Sequence, residues 1–137
     1  MKKEAEKSIF EIGESAPAEY FTGNVKAKAL LVDDQYFQCN IYNVIFEKNA
    51  RTNWHSHPSG QILLVVEGEG SYQLKGEAVQ TMKKGDVITF KPNIEHWHGA
   101  SLHSAMTHIA INPNTEKGLV NWLQKVTDEE FKNIKLE

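Results

Sequence analysis

Histidine is the residue type whose placement in this chain most directly implies chemistry. Of its six histidines, His55 and His57 form one His-x-His pair, His96 and His98 form another, and His108 stands further along. A neutral imidazole is a good ligand for divalent transition metals, and its charge changes near neutral pH, so such clusters point to a metal centre or to proton transfer. Residues two apart on an extended strand project to the same side, which brings His55 and His57 onto one face. Gln61 keeps that parity even if the intervening Pro58-Ser59-Gly60 bends the strand. His96 follows only after a turn and a further strand, so folding has to bring it to the others.

The candidate ligands are therefore His55, His57, Gln61 and His96, around one divalent transition metal. Three imidazoles and an amide oxygen suit manganese, iron, nickel or zinc, and affinity order alone does not choose among them. Four protein ligands on an ion that prefers about six leave positions for water or substrate, which suits chemistry rather than a closed structural site. The competing reading for the three histidines is a chance cluster of solvated or core side chains; for Gln61 it is an amide that caps a turn or bonds a neighbour.

His98 shares a face with His96 and is expected beside the metal, either as a base or as a ring hydrogen-bonded to backbone. His108 lies on one face with Met106 and Ala110, where apolar neighbours should desolvate it. Tyr42 shares a face with Val44 and Phe46. If that face lines the interior, Tyr42, Val44 and Met106 line a pocket and the Tyr42 hydroxyl reaches a bound ligand; plain core packing is the alternative. His103 sits in a turn-like segment and reads as a surface residue. Trp54 and Trp97 alternate away from the candidate ligands and read, with Trp122, as packing or subunit-contact residues, and Arg51 as a salt-bridge partner.

The elements that must position these groups are mainly strands. From Val25 to Ile111 short alternating runs are separated by turn residues, as in an all-β sandwich or barrel. Gln38 to Phe46 is apolar on both faces, and Ile62 to Lys75 reads as a hairpin around Gly68-Glu69-Gly70. Val87 to Phe90 follows the turn Gly85-Asp86, and Ser104 to Ile111 alternates until Asn112-Pro113-Asn114 stops it. Beyond that stop, Leu119, Trp122, Leu123 and Val126 fall at helical spacing over Gly118 to Val126. A second short helix is expected at Thr127, where Glu130 completes a capping box.

A length of 137 residues suits one domain, with an N-terminal arm over about 1–24, a barrel over about 25–112 and C-terminal helices over about 114–134. The 15 basic and 18 acidic residues are spread along the chain, so no basic stripe offers itself to nucleic acid. No apolar run approaches the roughly 20 residues that cross a bilayer, and the charged residues Met1 to Lys7 lead into no signal-like stretch. The expectation is a cytoplasmic protein with neither nucleic-acid nor membrane partners. The single cysteine, Cys39, has no partner for an internal disulfide and is expected to be buried as a small hydrophobe.

The histidine arrangement resembles the two sequence motifs of the cupin superfamily. The first is matched by Asn49, His55, His57, Gln61 and Gly68, with Asn49 in place of a glycine and Gln61 in place of a glutamate. The second begins at Gly85 and reaches its metal-binding histidine at His96, with Asn93, Ala100 and Pro92 departing from the usual pattern. The resemblance implies an all-β double-stranded β-helix, or jelly-roll, barrel. Asparagine also visits left-handed turn conformations, so Asn49 can replace glycine. A neutral Gln61 leaves the site one unit more positive than the family's carboxylate, raising the acidity of the ion while weakening its hold.

Four segments, Glu19 to Gly23, Arg51 to Gln61, His96 to Ala100 and Ala105 to His108, are similar to a bacterial group of small cupins that includes manganese-dependent hydroxynitrile lyases. That resemblance implies manganese at the site, a homodimer, and cleavage of a cyanohydrin to a carbonyl compound and cyanide. In that chemistry His108 accepts the substrate's hydroxyl proton and His98 steadies the departing cyanide, while Tyr42 is bulky enough to exclude large substrates. Related cupins are dioxygenases or decarboxylases, and a module that binds its metal and a small metabolite without turnover is the non-enzymatic alternative. No helix-turn-helix pattern accompanies the barrel, which speaks against a transcription regulator.

Overall fold

Alternation of apolar and polar residues between Val25 and Asn112 yields strands almost throughout, because each strand can bury one face against the interior. The computed structural model describes residues 8–132. In chain order its strands are β1 (Glu14–Ser15), β2 (Phe21–Thr22), β3 (Val25–Asp33), β4 (Cys39–Phe46), β5 (Arg51–Thr52), β6 (His55–Ser56) and β7 (Gln61–Leu74). They continue as β8 (Gln80–Lys83), β9 (Val87–Phe90), β10 (His96–Ala100), β11 (Met106–Asn112) and β12 (Asn121–Trp122), and α1 (Asp128–Lys132) follows.

One antiparallel sheet runs β1-β3-β4-β11-β7-β9, and the other joins β2, β5, β10, β6, β12 and β8 to the far half of β7. In place of the hairpin expected around Gly68-Glu69-Gly70, one continuous 14-residue strand, β7, belongs to both layers. It turns the corner at Gly68, whose φ is 77° and where a Cβ would collide with the Ala105 carbonyl oxygen. Only glycine accommodates both demands. The result is the jelly-roll barrel of the cupin type. Val25, Val44, Phe46, Leu63, Val65, Met82, Phe90 and Met106 fill the space between the layers. A second cluster, Trp54, Trp97, Val126 and Phe131, packs on the opposite face of the β10 sheet.

The chain after Asn112 departs from expectation. A single turn of 3-10 helix at Thr115–Lys117 replaces the helix expected over 118–126, and Asn121 and Trp122 pair instead with Ser56 and His55. Leu123 N donates to the Trp54 carbonyl at 2.9 Å, and Trp54 N donates to the Gln124 carbonyl at 2.9 Å. A short isolated helix is marginal by itself, so an available sheet edge that satisfies the backbone outcompetes the helical spacing. Leu119 and Leu123 consequently remain exposed.

The second helix forms as α1, and its capping box closes: Thr127 N donates to Glu130 Oε1 at 2.9 Å and Glu130 N donates to Thr127 Oγ1 at 3.0 Å. The expected C-terminal boundary at 134 and the charged residues 1–7 lie outside the described residues. Of the N-terminal arm, β1 and β2 are stitched onto the two sheets. Cys39 is half-buried rather than buried, near the open end of β4. Among the described residues no helix is long and apolar enough to cross a membrane.

Candidate metal centre

The site begins with register. His96 on β10 lies directly opposite His55 on β6, so two residues distant in sequence become cross-strand neighbours with ring centroids 4.4 Å apart. His57 lies just past the end of β6, and its ring is 5.1 Å from that of His55 and 5.8 Å from that of His96. Gln61 is positioned by a turn rather than by continued strand alternation. Gly60 N donates to the His57 carbonyl at 3.1 Å across Pro58-Ser59. Gly60 itself takes a φ of 84°, with no room for a Cβ against the Phe90 carbonyl oxygen. The turn delivers Gln61 to the first position of β7, with Oε1 3.4 Å from His96 Nε2.

Each of the three rings is tied on its far side to a backbone carbonyl. Nδ1 of His55 donates to Asn53 O at 2.9 Å, that of His57 to Leu119 O at 2.6 Å, and that of His96 to Ile94 O at 2.9 Å. A carbonyl oxygen only accepts, so each neutral ring carries its hydrogen on Nδ1 and presents a bare lone pair at Nε2. Burial pushes the pKa of His55 well below its ordinary value, lowers that of His57, and takes that of His96 down to about 3. At neutral pH, then, His96 Nε2 and Gln61 Oε1 are two acceptors facing one another with no proton between them. Among the described residues, His57 Nε2 is buried with no hydrogen-bond partner of good geometry. Buried acceptors that converge without a donor are costly, and a cation among them removes the cost. This donor set fits a divalent metal, and the far-side carbonyls orient the rings as metal-binding histidines require.

Two further histidines share the cavity. One nitrogen of His98 lies within 4.8 Å of nitrogens of both His55 and His96, so His98 is a geometric rival to His57 as third ligand. Its far side is occupied differently: Nδ1 of His98 meets Nε2 of His108 at 3.1 Å, an interaction between two rings. Burial holds His98 well below its ordinary pKa, with His108 adding to the effect, and burial takes His108 down to about 4. Phe46 stands against both rings at centroid distances of 6.0 Å and 5.2 Å.

The cavity has a volume of about 310 Å³ and is lined by the partly exposed Tyr20, Tyr42, Leu119 and Trp122 and by the buried Val44 and Phe46, among others. Its lining contains no carboxylate. Tyr42 and Val44 line it; Met106 does not, because it lies opposite Gly68 at the barrel corner and packs into the core against Gly70. Trp122, expected on a terminal helix, instead stacks on Tyr20 at 4.6 Å and packs against His55 at 4.8 Å. Leu119 and Asn112 are contributors that strand and helix patterns did not single out; the Asn112-Pro113-Asn114 stop was the available signal for Asn112. Trp54 and Trp97 face away from the cavity. His103 is exposed, and Arg51 pairs with Asp128 at 2.7 Å.

Residues 42–115 match the family described as Cupin domain, Cupin_2. The chain belongs to the cupin family. An (R)-mandelonitrile lyase of Granulicella tundricola is 42% identical to this cupin over 116 residues, which is 85% of this chain and 88% of that one. The crystal structure of a cupin-like protein from Thermotoga maritima superposes with a TM-score of 0.89 at 45% identity, covering 93% of this chain and 96% of the other. A cupin-2 domain from Rhodospirillum rubrum, 14% identical with a TM-score of 0.66 over 87% of this chain and 76% of its own, shares the fold.

Proposed function

We propose that this cupin is a metal-dependent lyase that cleaves an aromatic cyanohydrin into an aldehyde and hydrogen cyanide. His55, His57, Gln61 and His96 are its ligands and the His98–His108 pair is its proton carrier. The observation that carries the reading is that pair: two buried imidazoles joined to each other, beside a separate cluster of converging lone pairs. The mandelonitrile lyase relative supplies the substrate class, and the aromatic walls at Tyr20, Phe21, Tyr42 and Trp122 suit an aryl group. Resemblance favours manganese as the ion. Bound there, a divalent ion supplies a Lewis acid that makes a neighbouring hydroxyl easier to deprotonate.

The rest is the work of the chain. One proton fits between His98 Nδ1 and His108 Nε2, so in the neutral pair one ring donates and the other accepts. With the proton on His98 Nδ1, His98 Nε2 carries a lone pair and takes the substrate's hydroxyl proton. The O–H electron pair becomes the second bond of the carbonyl, the carbon–carbon bond to the nitrile breaks, and its electrons leave with cyanide. The proton held at His98 Nε2 then passes to cyanide, giving hydrogen cyanide and restoring the neutral pair. His108 shares the positive charge meanwhile by accepting from His98 Nδ1. This order gives His98 the direct contact and sets His108 behind it, the reverse of the roles the sequence resemblance implies; it rests on His98 standing nearer the ligand cluster.

The test is release of benzaldehyde and cyanide from racemic mandelonitrile by manganese-reconstituted protein, followed by absorbance and by chiral analysis of the remaining substrate. Enantioselective cleavage is expected. Oxygen consumption with catechols or flavonols and no cleavage of mandelonitrile would overturn the reading in favour of a dioxygenase. Inactivity on every substrate, despite full metal occupancy, would leave a binding module.

A further inference from the structure

A glutamine that binds a cation must present its oxygen and turn its NH2 away, yet the two ends of a carboxamide are nearly equal in size. Something has to choose between them. In the register of β11 and β7, Ile111 faces Ile62, so the next pair outward is Asn112 and Gln61. There Gln61 Nε2 donates to Asn112 Oδ1 at 3.1 Å while Gln61 Oε1 faces His96 Nε2. A flipped Gln61 would set its oxygen against the Asn112 oxygen, two acceptors together, and would lose its donor contact.

We infer that Asn112 is a positioning residue for the metal centre: its side-chain oxygen fixes the orientation of the Gln61 amide and so keeps Gln61 Oε1 turned toward the three imidazoles. The inference rests on the reading of Gln61 as a ligand. Asn112 is itself held in a defined place. It ends β11 opposite Asn40, and the following loop is pinned where Ser59 Oγ donates to the Asn114 carbonyl at 3.0 Å. Both ends of the 61–112 contact are thus anchored, one by the Gly60 turn and one by the strand stop. The cavity lining holds both residues as well, so the contact stands within the site and not on the outer surface.

The experiment is a double-substitution cycle on the full chain, read by manganese affinity in calorimetry and by the manganese electron spin resonance spectrum, with thermal midpoints recorded for each variant. Removing the acceptor with Asn112→Leu is expected to weaken manganese about 10- to 100-fold. Asn112→Asp keeps an acceptor and is expected to retain affinity within a few fold. In the Gln61→Ala background, Asn112→Leu is expected to cost nothing further, because there is no amide left to orient. An equal loss in both backgrounds would overturn the inference and leave Asn112 as a strand terminator only. A Gln61→Ala variant that binds manganese as tightly as the parent would instead overturn the ligand reading on which the inference stands. Should Asn112→Leu not fold, Asn112→Ser, which keeps a smaller acceptor, is expected to fall between parent and Gln61→Ala in affinity; affinity equal to the parent would count against the inference.

Discussion

Two groups of buried histidines meet at one cavity, lined by all of them but His96, and are held in opposite ways. His55, His57 and His96 each give Nδ1–H to a backbone carbonyl, so their tautomer is set by the main chain and their Nε2 lone pairs are fixed toward one point. His98 and His108 have only each other, and the proton between them can sit on either ring without breaking a contact to the backbone. A fixed lone pair suits a group that must never carry a proton; a shared proton suits one that must carry it briefly. Under the proposed function, the same side chain on the same barrel serves as ligand or base according to what stands behind it.

The widest separation between the two groups should appear on truncation. His57→Ala is expected to lower the manganese content of the purified protein and abolish cyanohydrin cleavage, since the nearest other lone pair, at His98 Nε2, can replace the missing ligand only by being withdrawn from the proton-carrying pair. His108→Ala is expected to leave manganese content unchanged while lowering kcat about 100- to 10,000-fold, the usual range for loss of acid–base assistance. Metal analysis alongside steady-state kinetics distinguishes them. Loss of manganese from His108→Ala would erase the distinction and make the pair part of the metal centre.

That contrast was only half legible in the sequence. Strand parity located His55 with His57 and His96 with His98, because a period of two survives folding unchanged. Alternation indicated an all-β sandwich or barrel, and the motif resemblance implied the jelly-roll class. Parity could not show what stands behind each ring. The carbonyl that orients His57 belongs to Leu119, 62 residues away, in a segment whose apolar spacing reads as helix. Its extended course is decided by the free edge of β6, a tertiary fact, and with it the place of Trp122 against His55. Met106 has the right parity and the wrong depth, since alternation says which face a residue takes and not how far along the barrel the cavity reaches.

A smaller effect separates the groups by pH. Burial depresses both His96, to about 3, and His108, to about 4, so in metal-free protein the unfolded chain binds protons that the folded chain refuses. The stabilising contribution is complete above an unfolded pKa of about 6.5 and is lost as pH falls toward those folded values, at ~1.4 kcal/mol per pH unit for each histidine. Urea midpoints measured from pH 7.5 down to pH 4 should therefore fall steadily. His108→Gln, which cannot titrate, should make the slope shallower by one histidine's share; an unchanged slope would show that His108 is already protonated in the fold. Manganese should hold off the loss on the ligand side until acid displaces it, while the His108 share persists in both forms.

The smallest effect is expected where the ligand group is supported from outside. Arg51 is buried beneath the C-terminal strap, the segment 118–132 that holds β12 and α1: its guanidinium donates to the Val126 carbonyl at 3.3 Å and 2.9 Å, bonds Asp128, and lies 4.7 Å over the Phe131 ring. The strap carries Leu119, hence the carbonyl behind His57, and Trp122, which pairs with and packs against His55. Asp128 is largely exposed, and the buried Arg51 guanidinium keeps its two bonds to the Val126 carbonyl without it, so Asp128→Ala should lower stability only slightly. Its consequence should nonetheless be one-sided. Manganese affinity should fall slightly, up to a few fold, while kcat at saturating manganese stays at the parent value, because the strap meets the ligand group, His57 through Leu119 and His55 through Trp122. A fall in kcat without a fall in affinity would mean that the strap governs the proton-carrying pair, and the division between the two groups would have to be redrawn.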